Sequence, residues 1–195
     1  MNQNHPILSP RFTQAICMAA KLHASQTRKG NNTPYIAHLM SVSALVLEAG
    51  GSEDEAIAAL LHDAVEDQGG IPTLDKIREN FGEKVANIVQ QCTDADTQPK
   101  PPWRQRKEEY ISHVAQAMPE ARLVSLADKV HNARSILRDL QCDGDAIWKK
   151  FNGGKDGTLW DYRSLLDKFR IMEDNFLIQE FERVVVQIEI VAQKS

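Results

Sequence analysis

Residues 60–67 of this chain read Leu60-Leu61-His62-Asp63-Ala64-Val65-Glu66-Asp67. Read as a helix, this segment places His62 and Glu66, and likewise Asp63 and Asp67, four residues apart and therefore on a shared face. The residues before it, 55–61, are mostly small and apolar, which predicts a helix that runs into the interior. An isolated buried charge costs roughly several kcal/mol unless it is paired or bound to a metal.

A divalent cation would compensate these charges. The imidazole nitrogen of His62 and the carboxylate oxygen of Asp63 are ligands that suit Mn, Fe, Zn or Co. The alternative is an ordinary solvated helix end, with Glu66 and Asp67 facing water.

Length and composition indicate one soluble globular domain. The chain has 195 residues, of which 42% are hydrophobic, and a net charge of −4. That charge argues against binding to a nucleic-acid backbone. No run approaches the ~18 apolar residues of a membrane span, and residues 1–11 lack the order of a signal peptide. Three widely spaced cysteines, Cys17, Cys92 and Cys142, fit a reducing, cytoplasmic compartment.

Hydrophobic periodicity predicts an all-α fold of about eight to ten helices around one core. Helix starts are predicted at Ser9-Pro10, at Ser52 with Glu55 as a capping box, and at Thr73. Residues 94–102 are predicted to form a loop. We expect a loop-rich region after residue 140, around a short helix from Ala146 to Phe151, and a single long final helix from about Leu159 to Gln193.

Two further polar residues interrupt helices that are otherwise apolar, His38 and Asp128. Taken alone, His38 fits a core histidine with a backbone partner, and Asp128 fits an ion pair with Lys129 or Arg122. Taken with His62 and Asp63, one arrangement satisfies all four: two imidazoles and two carboxylates that converge on one metal.

Five motifs occur in order: Arg28-Lys29-Gly30, Pro34-Tyr35-Ile36-Ala37-His38, residues 59–67, Phe81-Gly82-Glu83-Lys84-Val85 and residues 126–134. The order His, His-Asp, Asp resembles the HD-domain metal-dependent phosphohydrolases. The complete set resembles, over about residues 10–140, the hydrolase domain of the RelA/SpoT family. The resemblance implies an HD-domain helical bundle, with residues 1–195 forming a single domain and 141–195 an extension of its core.

The family's activity would make this chain a stand-alone alarmone hydrolase of the stringent response. In that family the reaction removes pyrophosphate from the 3′ position of ppGpp or pppGpp, and the enzyme uses one divalent metal, commonly Mn²⁺. The resemblance assigns the metal ligands to His38, His62, Asp63 and Asp128. It gives Glu66 and Asp67 the catalytic roles of activating water or protonating the leaving group. Acid–base assistance of this kind is typically worth ~10²–10⁴-fold in rate.

The resemblance also implies substrate contacts. Arg28 would stack on guanine and Lys29 would meet phosphate, as suits a planar guanidinium and a compact ammonium. Asn132 and Ser135 would face the ribose and phosphates, whereas His131 is predicted to be structural or to support the ligands. For Arg28 and Lys29 the alternative is a solvated turn.

Two regions have no assigned role. The basic cluster Arg104, Arg106 and Lys107 either closes over pyrophosphate or is a solvated face. The region with Lys155, Trp160, Tyr162 and Arg163 could add a substrate wall. It leaves other functions open: hydrolysis of another nucleotide, such as pppApp or NADPH, or a non-catalytic sensor or antitoxin-like partner. A homo-oligomer is compatible with these features.

Overall fold

The computed structural model describes residues 8–30, 32–93, 101–171 and 175–194. Within these ranges the chain forms ten α-helices and one 3₁₀ helix. The α-helices are α1 Pro10–Leu22, α2 Ile36–Glu48, α3 Glu53–Leu61, α4 Ala64–Asp67, α5 Ile71–Phe81, α6 Glu83–Cys92, α7 Trp103–Gln116, α8 Pro119–Asp143, α9 Gly154–Phe169 and α10 Phe176–Ala192, and the 3₁₀ helix is Gly144–Lys150. Extended pairing among the described residues is limited to an isolated bridge between Thr27 and Pro34. The predicted all-α fold is confirmed.

Side-chain caps fix two of the predicted helix starts. Ser9 accepts a hydrogen bond from the backbone N–H of Arg11 at the start of α1. Ser52 and Glu55 form the predicted capping box of α3, each side chain accepting from the other's backbone N–H. The predicted start at Thr73 is wrong, because α5 already begins at Ile71. The Thr73 hydroxyl instead donates to the carbonyl of Gln68 (2.8 Å).

Helix α3 lies at the centre of the molecule. It packs against α1, α2, α6 and α8, and every residue from Ala56 to Leu61 is buried. The small side chains in this run allow close approach by several neighbours at once. The predicted helix that runs into the interior is therefore confirmed, and its last residue delivers the chain to His62 inside the core.

The predicted continuous helix through residues 60–67 is interrupted. Helix α3 ends at Leu61, His62 and Asp63 form a turn, and the one-turn helix α4 follows. Both turn residues keep right-handed backbone angles, with φ of −60° and −92°. The interruption lets the His62 imidazole bond to the carbonyl of Ala59 (2.8 Å).

The predicted single final helix is also wrong, because two helices occupy this part of the chain. Helix α9 ends at Phe169, and Asn175 caps α10 by accepting from the N–H groups of Leu177 and Ile178. The rings of Phe169 and Phe181 meet with centroids 6.0 Å apart, so the two helices pack against each other. The expected loop-rich region is largely helical: the short helix predicted there is present as the 3₁₀ helix Gly144–Lys150, and α9 starts at Gly154. Residues 94–100 of the predicted loop lie outside the described residues.

The two C-terminal helices belong to the main core. Helix α10 packs along α8 and α9, burying the apolar side chains of Leu177, Phe181, Val184 and Ile188. No helix among the described ranges is both long and apolar enough to cross a membrane.

Candidate metal centre and adjoining cleft

Three separate elements bring the four predicted ligands together. His38 comes from α2, His62 and Asp63 from the turn after α3, and Asp128 from the middle of α8. The Nε2 atom of His38 lies 3.2 Å from Asp128 Oδ1 and 3.5 Å from Asp63 Oδ2. The Nε2 atom of His62 lies 3.1 Å from Asp63 Oδ2 and 3.7 Å from Asp128 Oδ1.

The other nitrogen of each imidazole fixes the direction of its free lone pair. The Nδ1 of His62 must donate to the Ala59 oxygen, because a carbonyl only accepts, so the neutral ring carries its lone pair on Nε2. The Nδ1 of His38 pairs with Nδ1 of His131 (2.8 Å). Both Nε2 atoms are buried without a hydrogen-bond partner. When both rings are neutral with their protons on Nδ1, two nitrogen lone pairs and two carboxylates face one another.

This donor set fits a divalent cation. Ligand atoms of His38, His62 and Asp128 all lie within 4.8 Å of one another, and the three residues are buried. Asp63 is more exposed, and its Oδ2 faces the same imidazoles. Mixed imidazole and carboxylate ligands are typical of first-row transition-metal sites.

Electrostatics keep the two carboxylates ionised. Burial on its own would raise the pKa of Asp128, but Lys129 and the two imidazoles outweigh it and hold this pKa well below its usual value. His62 and His38 likewise hold the pKa of Asp63 down against burial. Burial opposes a charged His62, yet the neighbouring carboxylates raise its pKa well above the usual value. A proton on His62 and a metal ion thus compete for the same negative charge.

Two further residues contact the predicted ligands: Tyr35, which the sequence did not single out, and Lys129, which it offered as an ion-pair partner of Asp128. The Tyr35 hydroxyl donates to Asp63 Oδ2 (2.6 Å). Lys129 Nζ lies 2.8 Å from Asp128 Oδ2, which leaves Oδ1 facing the histidines. The ion pair considered as an alternative for Asp128 thus exists beside its place in the cluster. Both residues lie within the quoted motifs: Tyr35 is three residues before His38, and Lys129 directly follows Asp128. This proximity in sequence to the predicted ligands was the available signal.

A cavity of about 520 Å³ opens beside the cluster, and His38 forms part of its wall. All four residues predicted to bind substrate line this cleft: Arg28, Lys29, Asn132 and Ser135. Arg28 Nη2 donates to Asn132 Oδ1 (2.5 Å), and the Asn132 amide donates in turn to Asp128 Oδ1 (2.5 Å). His131, whose Nδ1 contacts that of His38, has its pKa lowered to about 4 by burial and by the charges of His38 and Arg28.

The predicted catalytic carboxylates occupy a different position. Glu66 is partly buried and Asp67 is exposed on α4, and neither is among the described residues that line the cleft. Asp67 Oδ2 accepts a hydrogen bond from Gln26 Nε2 (2.7 Å). Both residues lie at the end of α4, the one-turn helix that follows the turn with His62 and Asp63.

The basic cluster of α7 divides in two. Arg106 and Lys107 line the cleft together with Trp103. Arg104 instead lies over the Trp160 ring, 3.2 Å from its centroid, and pairs with Glu108.

The C-terminal region supplies one wall of the same cleft. Its contributors are Lys150, Phe151, Asn152, Thr158, Asp161 and Tyr162. Of the residues predicted for this role, only Tyr162 takes part. Lys155 pairs with Asp145, and Arg163 pairs with Glu189.

The fold and this site define a helical hydrolase of the HD type. The model of the HD domain (HD_4) matches residues 15–159. The chain belongs to the HD-domain family, among its RelA/SpoT-type hydrolases.

Named relatives agree with this placement. Guanosine-3′,5′-bis(diphosphate) 3′-pyrophosphohydrolase MESH1 of Xenopus tropicalis is 41% identical over 128 residues, which are 64% of this chain and 69% of the relative. The human MESH1 is 38% identical over 131 residues, 66% of this chain and 70% of that protein. The bifunctional (p)ppGpp synthase/hydrolase SpoT of Escherichia coli is 33% identical over 132 residues, but these are only 18% of its length.

Solved structures show the same fold. A metazoan orthologue of SpoT that hydrolyses ppGpp superposes with a TM-score of 0.77 at 30% identity, covering 93% of this chain and 97% of that one. The lmo0812 protein of Listeria monocytogenes gives 0.67 at 27% identity, covering 80% of this chain and 99% of that one.

Proposed function

We propose that this protein is a divalent-metal-dependent hydrolase that removes the 3′-pyrophosphate of ppGpp or pppGpp. The products are GDP or GTP and pyrophosphate. The observation that carries the proposal is the convergence of His38, His62, Asp63 and Asp128 beside a cleft lined by cationic side chains. The 3′-pyrophosphohydrolase activity for which the MESH1 relatives are named supports the same substrate.

The four ligand residues would hold the cation. A divalent cation at this position lowers the pKa of water and offsets charge on phosphoryl oxygens. We propose Mn²⁺, which accepts both imidazole and carboxylate ligands. Lys129 and Tyr35 orient the two carboxylates, since each holds one carboxylate oxygen.

The remaining roles fall to residues outside the ligand set. Glu66 and Asp67 would take a proton from the attacking water or return one to the leaving oxygen. They lie on α4, the short helix that directly follows the ligands His62 and Asp63. Lys29, Arg106 and Lys107 would neutralise phosphate charge in the cleft. Arg28 lies 5.6 Å from the Tyr35 ring centroid, a setting in which its planar guanidinium can stack on guanine.

The direct test is incubation of purified protein with Mn²⁺ and ppGpp, followed by separation of the nucleotides. We expect equal amounts of GDP and pyrophosphate, and none after chelation of the metal. Absence of both products would refute the substrate assignment. A panel with pppApp and NADPH tests the other nucleotides, and metal-dependent binding of ppGpp without turnover would indicate a sensor.

Compartment and assembly also stay proposals. The described free cysteines, Cys17, Cys92 and Cys142, form no disulfide, which is compatible with the proposed cytoplasmic location. A homo-oligomer remains a prediction.

A further inference from the structure

A polar network centred on Gln26 lies beside the one-turn helix α4. The Gln26 Nε2 donates to Asp67 Oδ2 (2.7 Å). Its Oε1 accepts from the Nε2 of Gln68 (2.6 Å) and lies 2.7 Å from Nδ1 of His23. One amide therefore contacts three side chains, two of them from α4 and the residue that follows it.

The chemistry of these partners fixes the orientation of the amide. An ionised carboxylate only accepts hydrogen bonds, so the Gln26 nitrogen must face Asp67. The Gln26 oxygen then faces His23, whose Nδ1 must carry a proton. With its oxygen and nitrogen both engaged, the amide cannot turn without placing two oxygens against each other.

Gln26 is itself anchored from two sides. Its backbone N–H donates to the carbonyl of His23 (3.1 Å), and its carbonyl accepts from the N–H of Tyr35 (2.9 Å). The His23 imidazole is 2% exposed and stacks on the Tyr35 ring, with centroids 5.3 Å apart and planes at 17°. Tyr35 is the residue that bonds to Asp63. Tyr35 therefore contacts both the residue that binds Asp67 and the predicted metal ligand Asp63.

Asp67 needs such support more than a residue in a long helix would. Helix α4 is four residues long and Asp67 is exposed. Packing alone therefore does not restrict the Asp67 side chain to one rotamer. A charge-assisted hydrogen bond selects one of the available rotamers.

We propose that Gln26 is a positioning residue that holds the Asp67 carboxylate in its working orientation. This inference rests on the proposed function, in which Asp67 takes part in proton transfer. Gln26 is not among the described residues that line the cleft, and it acts through Asp67.

The test is Gln26→Glu, which keeps the size of the side chain and replaces the amide donor with a second carboxylate. The matched control is Gln105→Glu on the exposed face of α7, where Gln105 Nε2 likewise donates to a carboxylate, that of Glu109 (2.8 Å). We expect kcat of Gln26→Glu to fall about tenfold or more, as loss of a charge-assisted bond implies. KM and Mn²⁺ affinity should stay at wild-type values, and the acidic limb of the kcat–pH profile should move to higher pH. Gln105→Glu should change none of these.

A second variant, Gln26→Met, removes the donor without adding charge. It should lower kcat in the same sense, and it carries the test if Gln26→Glu does not fold. Wild-type kcat and pH profiles in the folded variants would overturn the proposal. So would a loss of Mn²⁺ affinity in step with kcat, because the network would then serve the ligands.

A readout without turnover separates this inference from the proposed function. If the wild-type protein does not hydrolyse ppGpp, the proposed function fails. NMR of the Asp67 side chain then decides on the network: its carboxyl carbon chemical shift should change in Gln26→Met, which removes the hydrogen-bond donor, and should keep the wild-type value in Gln105→Glu. An equal chemical shift in all three proteins would refute the support of Asp67 by Gln26.

Discussion

At the scale of single residues, the decisive feature is that both predicted ligand imidazoles aim Nε2 at the same carboxylate oxygens, where a neutral ring would offer its lone pair to a cation. Ala59 fixes this direction for His62. For His38 to do the same, its Nδ1 must donate to His131 Nδ1, which places the His131 proton on Nε2. The two rings are thus prepared as ligands by their second nitrogens, the usual arrangement in metal sites.

Replacing His62 tests the ligand role. We expect His62→Ala to lose both tight Mn²⁺ binding, measured by calorimetry, and ppGpp hydrolysis, because one of two imidazole ligands is removed. His113→Ala is the control, since His113 is an exposed histidine on α7 and should bind and turn over like wild type. Unchanged Mn²⁺ affinity in His62→Ala would contradict the assignment.

Replacing Glu66 separates catalysis from metal binding. We expect Glu66→Ala to keep its Mn²⁺ and lose about 10²–10⁴-fold in kcat, the range typical of acid–base catalysis. Calorimetry and steady-state kinetics on the same preparation measure both quantities. If the variant also loses the metal, Glu66 is a ligand.

The low pKa of His131 predicts a neutral ring at physiological pH. In the metal-free protein, NMR should show His131 titrating near pH 4, with its proton on Nε2 above that pH. An unfolded histidine titrates near 6.5, so between about pH 6.5 and 4 the unfolded chain binds a proton that the folded protein does not. His131 therefore lowers stability as pH falls through this window and has no such effect above it. Titration of His131 near 6.5 would contradict this environment.

At the scale of elements, the docking of α7 against α9 positions the cationic residues of the cleft. The Trp103 ring fills a notch over two glycines: a Cβ on Gly153 would lie 2.5 Å from this ring, and a Cβ on Gly157 would lie 3.0 Å from it. Trp103 also meets Trp160 edge to face, with centroids 6.2 Å apart. Arg106 follows on the next turn of α7, so its position depends on this notch.

Filling the notch should weaken substrate binding. Gly153 has φ of −83°, so Gly153→Ala is free of backbone strain and its effect comes from the clash with Trp103 alone. We expect KM for ppGpp to rise several-fold with Mn²⁺ affinity unchanged. The double variant with Trp103→Leu should relieve part of the clash. Its loss in free energy of unfolding should therefore be smaller than the sum of the losses in the two single variants. Additive effects would show that the two residues do not interact.

The same scale shows what the sequence could and could not predict. Local signals sufficed for α3, because Ser52 and Glu55 cap it and its small apolar residues identify it as buried. Local signals did not predict the break of the helix at His62 and Asp63. The backbone angles there stay nearly helical, so the pattern of apolar residues is the same as in a continuous helix. These signals also missed the end of α9, since the spacing of apolar residues continues past Phe169 and only the Asn175 cap marks a new start.

At the scale of the whole molecule, the clustering of His38, His62, Asp63 and Asp128 was predictable because buried charge needs a partner wherever it occurs. The ion pair of Asp128 with its neighbour Lys129 was also predictable from sequence. Tyr35 and Gln26 were not, because they reach Asp63 and Asp67 by tertiary contacts that sequence spacing does not encode. The wall of the cleft from α9 was predictable only as a region. Lys155 and Arg163, polar residues like its true members, instead pair with Asp145 and Glu189 elsewhere.

The C-terminal helices should be essential for the stability of the whole fold. Phe181 of α10 is fully buried and packs against Phe169 of α9, and α10 packs on α8, which carries Asp128. We expect Phe181→Ala to lower the free energy of unfolding by about 3–5 kcal/mol in denaturant titrations. Phe176→Ala on the same helix should cost far less, since Phe176 is 42% exposed. Equal costs would show that α10 does not complete the core.

The central claim is that His38, His62, Asp63 and Asp128 bind one divalent cation. Anomalous X-ray diffraction from crystals grown with Mn²⁺ tests it most directly. We expect a single strong peak about 2 Å from the Nε2 atoms of both histidines and from carboxylate oxygens of both aspartates. No peak there, or a peak held by Glu66 and Asp67 instead, would contradict the account.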